Sequence, residues 1–561
     1  MPAYQQRSNA DPRRSETGGR LFPEFAALLA YLLLLSVLLV FHEPWYDEAQ
    51  AWLIARDASF REMVFLIPHY EGHPPLWFLL LSVFAKSGAD FELTIKLLSL
   101  VINGVAAAIL LFRAPFPRWV KLLLPFSYFL FYQHGVICRP YSLLLVGFLL
   151  AACFWHDREE KPFRFSLALA LLCASSAYGI IFAGGIAIVW LIELRTASPS
   201  WGSYVRSLFR GRRFAAMLSL LLFALTQIAL ILPRSDTFAA SYGMSGNPIW
   251  FRLLYMTFGA VADATCFSAY ESYDELRYAT FSAPKLLIGC LIGLLLLSVL
   301  FLCGRKAKKR LLFFLPFGLF ALFSGVVYFY LQHIDVLLQF LLFWCWVCRK
   351  EFLAHPPAPE NRKENGKEPS RLRVVAKPVL ALCVGVCLAV SVFWTAAACV
   401  NEVRYPYGFS DALAEYLDAN GLSDYGIMVR WKVDKDADGT IRDNNTAQTV
   451  NGVALNAYYK ENIVCNMNGG DPSMPYVTHR IPNGEEVASE LARLRELGKP
   501  AVALDKVQLD VVFSEFAERD MYFATYYTDV LTLPEYHLWK RGWQFSEHHL
   551  YVRNDLLSPD Q

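Results

Sequence analysis

Two acids stand side by side at Asp47 and Glu48, in the stretch WYDEAQAW, a few residues past the end of a long apolar run. A carboxylate partly desolvated by Trp45 and Trp52 has its pKa pushed up. Such a group can accept the proton of an attacking hydroxyl. A plainer role is also open: Asp47 followed by Gln50 three residues later has the form of a capping box, and acids in a first turn favour the helix dipole. Glu48 then either binds the second substrate or caps the helix. The stretch HYEGHPPLW at 69–77 adds His69, Glu71 and His73. These are metal-ligand types, so a divalent metal is one use for them. Pro74 and Pro75 argue against a regular helix presenting all three, which leaves a polar turn, or a phosphate contact through His73.

A third element is QHGVICRPYS at 133–142, with Arg139 and Tyr141. A lone Arg between apolar runs is costly without a partner. Its planar fork suits a lipid phosphate; otherwise it snorkels to head groups. Other candidates are weaker. Asp434, Asp436 and Asp438 in DKDADGTIRDNN follow a calcium-loop spacing, but the last ligand position holds Asn445, and a hairpin turn on Asp-Gly fits as well. YESYDELRY at 270–278 reads as a solvated acidic face or an acceptor site. His333 and Asp335 fall at a tight turn where they can line a cavity. The single CxxC, Cys345 and Cys348, ends an apolar run and reads as helix packing.

The chain that must position these groups has 561 residues, 55% of them hydrophobic, and a mean hydropathy of +0.32. Soluble domains are usually less apolar, so a membrane protein is expected. A net charge of +2 gives no sign of a nucleic-acid partner. About eleven apolar runs have the length or composition of spans. They lie near 21–41, 92–112, 119–134, 140–155, 165–180, 181–194, 213–232, 284–303, 311–331, 334–348 and 375–397. The first is long for a signal-peptide core and has no cleavage site after it. The segment 74–86 is short and fits a re-entrant or interfacial helix.

Lys and Arg cluster near 113–121, 158–164, 206–213, 304–310 and 362–373, whereas the turns near 178–184 and 332–335 carry none. The positive-inside pattern therefore puts residues 1–20 and the linker 351–372 in the cytoplasm. Loops 42–73 and 233–283, and everything from 398 to 561, then lie outside. That last region is long enough for a core of its own and alternates helix and strand signals, so a small extracytoplasmic α/β domain is expected after the membrane domain of 21–397.

With these elements in place, WYDEAQAWLIARD resembles the first outer loop of the GT-C superfamily of membrane glycosyltransferases. The protein mannosyltransferase and aminoarabinose transferase-like groups (glycosyltransferase family 39-like) are the nearest in pattern. Their acid, PPL-aromatic and R-x-Y elements correspond to Asp47, HPPLW at 73–77, and Arg139 with Tyr141. The resemblance spans roughly the first 200 residues in motif terms and implies a GT-C-like fold. It also implies a polyprenyl-phosphate-linked sugar as donor, an envelope hydroxyl as acceptor, Asp47 as base, and a multi-pass protein of the bacterial inner or plasma membrane. No cofactor is required. Many relatives carry Lys before the two prolines; this chain has His73, a weaker phosphate partner when neutral. The rival function is a transporter or flippase of polyprenyl-linked sugars. Against it, the charged candidates sit in loops and no internal repeat is visible.

Overall fold

The computed structural model describes residues 21–209, 211–237, 247–269, 283–355, 371–429, 433–435, 441–443, 450–506 and 516–557. The chain is mostly helical. Among the described residues, six helices are long and apolar enough to cross a membrane: Phe22–Phe41, Phe91–Arg113, Ala177–Ala197, Gly211–Ile231, Ala283–Lys306 and Pro378–Arg404. At 1.5 Å per residue the shortest is about 30 Å long, the thickness of a hydrocarbon core. The first exposes Phe25, Leu29, Leu33 and Val37 at intervals of four, one apolar stripe along its length. Such a stripe suits lipid and not water.

The other apolar runs do not form such helices. The run at 119–134 is broken at Pro125 into an α-helix Arg118–Leu123, a 3-10 turn Leu124–Phe126 and a π-helical turn Phe129–Gln133; a proline N–H is missing where a ladder would need it. Tyr141–Phe154 and Pro162–Ser175 have 14 residues each, and Arg310–Val326 has 17 with Pro316 inside. Asp335–Ala354 begins on an acid and carries Arg349, Lys350 and Glu351 near its end. The break expected near 178–184 lies instead at Ser176, whose hydroxyl accepts from the Tyr178 N–H at 3.2 Å and starts the Ala177–Ala197 helix. Six of the eleven runs are therefore long apolar helices.

The segment expected not to cross is the ten-residue helix Leu76–Ala85, about 15 Å long. It buries Trp77, Phe78 and Leu81 against the helix Tyr46–Asp57.

Among the described residues, six strands follow: β1 (Ile427–Met428), β2 (Val433–Lys435), β3 (Ile441–Asp443), β4 (Val502–Leu504), β5 (Tyr527–Trp539) and β6 (Gly542–Arg553). β2 and β3 form an antiparallel pair. The others form a sheet of order β1-β4-β6-β5, with β1 and β4 parallel and the rest antiparallel. Period-two alternation gives it two faces. Met428 and Ala503 pack on the helices Gly484–Leu497 and Phe516–Tyr526. Ile427, Val502, Leu504 and Val552 join a cluster with Trp52, Leu53, Trp77 and Phe78. The C-terminal region was expected to hold a core of its own; its larger core is shared with the helices of 46–95.

The β5–β6 hairpin drives its tip among the long helices. Lys540 is 1% exposed and donates to the Asp263 carboxylate at 3.0 Å, to the Asp263 carbonyl at 2.6 Å and to the Phe267 carbonyl at 3.1 Å. Tyr255 O–H donates to the other Asp263 oxygen at 2.5 Å.

Candidate active site

Asp47 and Glu48 face different ways because successive helix residues diverge by about 100°. The helix Tyr46–Asp57 starts at Trp45, whose N–H donates to Glu48 Oε2 at 3.2 Å. Glu48 is therefore the capping carboxylate. Asp47, expected at the cap with Gln50, is instead inside the first turn. Glu48 is 2% exposed. Its Oε1 accepts the Cys138 N–H at 2.6 Å and its Oε2 meets His42 Nε2 at 3.1 Å. His42 Nδ1 meets Glu402 Oε1 at 2.7 Å, and Tyr132 O–H donates to Glu402 Oε2 at 2.5 Å. Burial opposes charge on His42, but Glu48 and Glu402 together raise its pKa to about 10. This network is closed, with no open side for a substrate. The catalytic role considered for Glu48 gives way to a structural one.

Asp47 turns toward the turn at 134–140. Its carboxylate meets Arg139 Nη1 at 2.8 Å, with side chains 23% and 15% exposed. Burial raises the Asp47 carboxyl above the ordinary aspartate range, Arg139 opposes that rise, and Glu71 adds to it. The Arg139 guanidinium lies 5.4 Å from the Tyr141 ring centroid, within cation–π range. The turn that carries Arg139 leaves carbonyls outside any helix, and they are satisfied from neighbours. Asn103 donates to the His134 carbonyl at 2.8 Å and Ser99 to the Gly135 carbonyl at 2.7 Å. The two adjacent acids thus hold one turn: Glu48 takes its backbone and Asp47 its arginine.

His73 follows Gly72, whose φ of +67° suits glycine at the end of the Pro68–Glu71 turn. Its ring meets the Tyr141 ring edge-on at 6.1 Å. Burial, then Arg139, pushes His73 down to about 4, so it is neutral near pH 7 and brings no cation to a phosphate. Its Nδ1 is buried without a hydrogen-bond partner. Glu71 accepts from Gln50 Nε2 at 2.9 Å and pairs with His479 Nδ1 at 2.8 Å. His479 belongs to the C-terminal region and also meets the Tyr46 hydroxyl at 2.8 Å. Burial works against its charge, but Glu71 overrides that and Asp47 adds to the rise. Gln50 closes the junction by exchanging hydrogen bonds with the Val477 backbone at 2.6 and 3.0 Å.

Asp47, His73, Arg139, Tyr141 and Glu71 are therefore neighbours. His69 is not among them: it is turned away to the Leu232 carbonyl at 2.7 Å. The metal use considered for His69, Glu71 and His73 fails on that divergence, and no three His, Cys, Asp or Glu side chains are gathered for a metal among the described residues. Asp434 lies in β2 opposite Arg442 of β3. Asp436, Asp438 and residues 270–278 lie outside the described residues. His479 had no local signal, being one histidine in a polar stretch 408 residues from Glu71.

No known protein family, curated protein or solved structure matches the chain.

Proposed function

We propose that the chain is a membrane glycosyltransferase that moves a sugar from a polyprenyl-phosphate donor to an envelope hydroxyl. One observation carries this reading: Asp47 and Arg139 form a largely buried ion pair a few residues past the end of the first long apolar helix. A lipid-linked sugar keeps its phosphate at the membrane interface, where this pair stands. The donor phosphate competes for the Arg139 fork, which binds anions through two parallel N–H groups. That frees the Asp47 carboxylate, whose raised pKa makes it a better base.

The acceptor oxygen then forms a bond to the anomeric carbon while the bond from that carbon to the phosphate oxygen breaks. The electron pair leaves with polyprenyl phosphate, stabilised by Arg139, and the acceptor proton passes to Asp47. Direct displacement inverts the anomeric centre. The proposal includes the wider architecture: about eleven crossings, some of them made by the shorter helices, with 42–73, 233–283 and 398–561 on the extracytoplasmic side. Contacts among these segments support a common side. Tyr70 donates to Asp236 at 3.2 Å, the Ile481 N–H donates to the Asp236 carbonyl at 2.7 Å, and His479 pairs with Glu71.

The test is transfer from polyprenyl-phosphate sugars by the purified full-length chain. Asp47→Asn is expected to lower the rate by roughly 10²–10⁴-fold; Glu48 keeps the cap, and loss of the Arg139 pair lowers the melting temperature without unfolding the chain at assay temperature. Turnover near the wild-type level would remove Asp47 from the chemistry.

A further inference from the structure

Behind Arg139 lies a second group of polar side chains that the transfer chemistry does not use. Tyr141, His333, Asp335 and Gln339 are 4%, 4%, 2% and 0% exposed. Each has one polar atom buried without a hydrogen-bond partner: the Tyr141 hydroxyl, His333 Nε2, Asp335 Oδ1 and Gln339 Oε1. Their remaining polar atoms are committed. His333 Nδ1 meets the Tyr178 hydroxyl at 3.3 Å, and Asp335 Oδ2 meets His134 Nε2 at 3.2 Å. Gln339 Nε2 lies 2.9 Å from His134 Nε2 and donates to the Tyr141 carbonyl at 3.3 Å and to Asp335 Oδ2 at 3.4 Å. Two acceptors beside that nitrogen fix the orientation of the amide. The group is contiguous with the candidate base, since the Tyr141 ring lies 5.0 Å from the His333 ring and 5.4 Å from the Arg139 guanidinium.

Four buried orphans in one place are costly. Each unsatisfied group carries a desolvation penalty, and native proteins keep few of them without a use. The orphans are also mixed in type. A carboxylate oxygen and an amide oxygen accept, a phenol donates or accepts, and an imidazole nitrogen does one or the other by tautomer. A carboxylate ligand only accepts and leaves the Asp335 and Gln339 oxygens unmet; an ammonium ligand only donates and leaves the proton of the Tyr141 hydroxyl without an acceptor. A hydroxyl does both. Burial, then Arg139 and His73, holds the His333 imidazole well below its ordinary range, so His333 is neutral near pH 7. Among the described residues, the guanidinium beside the group is that of Arg139, which is held by Asp47. The walls are aromatic, with Tyr178 and Tyr330 packed 5.6 and 6.0 Å from His333. An aromatic wall with a few placed polar groups is the usual lining of a small-molecule site.

We propose that Tyr141, His333, Asp335 and Gln339 form the subsite for the donor's sugar ring, and that this sugar is neutral and polyhydroxylated. The assignment rests on the transferase reading for the identity of the donor. The four side chains are shut off from solvent, so entry of a sugar requires rotation of the Tyr141 or His333 ring, on the scale of side-chain changes at other binding surfaces.

The experiment uses the full-length chain in lipid nanodiscs free of sugar detergent. Binding is measured for polyprenyl phosphate, for polyprenyl-phosphate carrying a neutral hexose or pentose, an amino sugar or a uronic acid, and for the matching methyl glycosides. Tyr141→Phe removes one orphan hydroxyl and keeps the ring; Gln339→Leu removes another orphan. Each is expected to weaken binding of the neutral sugar-lipid at least tenfold and to leave bare polyprenyl phosphate within twofold of wild type. Equal losses for both lipids, no loss, or tighter binding of a charged sugar would overturn the subsite. Wild-type binding of neutral methyl glycosides without any binding of polyprenyl phosphate would keep the subsite and discard the transferase reading. If no sugar binds in any form, the orphans are met by water alone and the proposal falls.

Discussion

Replacing Arg139 by Gln removes the cation 2.8 Å from Asp47 and leaves an amide in its place. In the wild type, burial raises the Asp47 carboxyl, Arg139 opposes the rise and Glu71 adds to it. Without the guanidinium, burial and Glu71 act unopposed and the Asp47 pKa climbs further. A neighbouring opposite charge lowers a carboxyl by roughly 1–3 units, so its loss moves the acid limb of kcat/KM upward by roughly 1–3 pH units. At about 1.4 kcal/mol per unit, the rate on the acid side falls roughly 10–1000-fold and is recovered as the pH rises. Sugar transfer by purified variants across a pH series measures this. Arg139 is also assigned to the phosphate, so KM rises at every pH; the position of the limb, not its height, reports on Asp47. A limb at the wild-type position in Arg139→Gln would refute the coupling, as would a surviving limb in Asp47→Asn.

Four other outcomes are expected. His42→Ala leaves Glu48 and Glu402 buried without their cation, at roughly 3–5 kcal/mol; a melting temperature unchanged by the substitution would contradict the network. Because the folded His42 pKa is raised to about 10, its stabilisation is complete below the unfolded value of about 6.5 and is lost as pH rises through about 10, so thermal melts should fall steeply there in wild type and less in Glu402→Gln. Lys540→Met leaves Asp263 buried without its cation, again at roughly 3–5 kcal/mol, and Asp263→Asn added to it should restore most of the loss; thermal unfolding of the single and double variants decides this. In intact cells, an impermeant thiol reagent should label a cysteine placed near 440 and spare one near 360, and the reverse pattern would invert the proposed topology.

The groups at the mouth of the site were legible because their residue types are unusual where they stand: an acid pair after an apolar run, and one Arg between apolar runs. The division of labour between Asp47 and Glu48 was not. It depends on where the helix begins, and a helix starting at Tyr46 with Trp45 as its cap moves Glu48 into the capping position. The helix Gly484–Leu497 is legible from its amphipathic period and from Gly498, which closes it. By contrast, β5 was missed, since Pro534 interrupts its alternation and its register shifts between Asp529 and Leu531. The short helices among the long ones were blurred because hydropathy does not register where a ladder breaks, as at Pro125. His479 and Glu402 were invisible for a different reason: each acts on a residue hundreds of positions away, and nothing local marks the meeting.

The shared core has a consequence for how the chain is made. Gln50 is synthesised 427 residues before Val477, which it holds, and Trp52 and Trp77 belong to a cluster completed by Val552. At about 5–20 residues per second on the ribosome, the loop bearing Asp47 waits roughly 20–85 seconds for its far half. During that interval the loop lacks its C-terminal partners, and for most of it the acid network at His42 lacks Glu402. Assembly of the site is therefore among the last events of biogenesis, and a chain stopped short of β6 leaves the nascent loop as exposed apolar surface for quality-control factors to recognise.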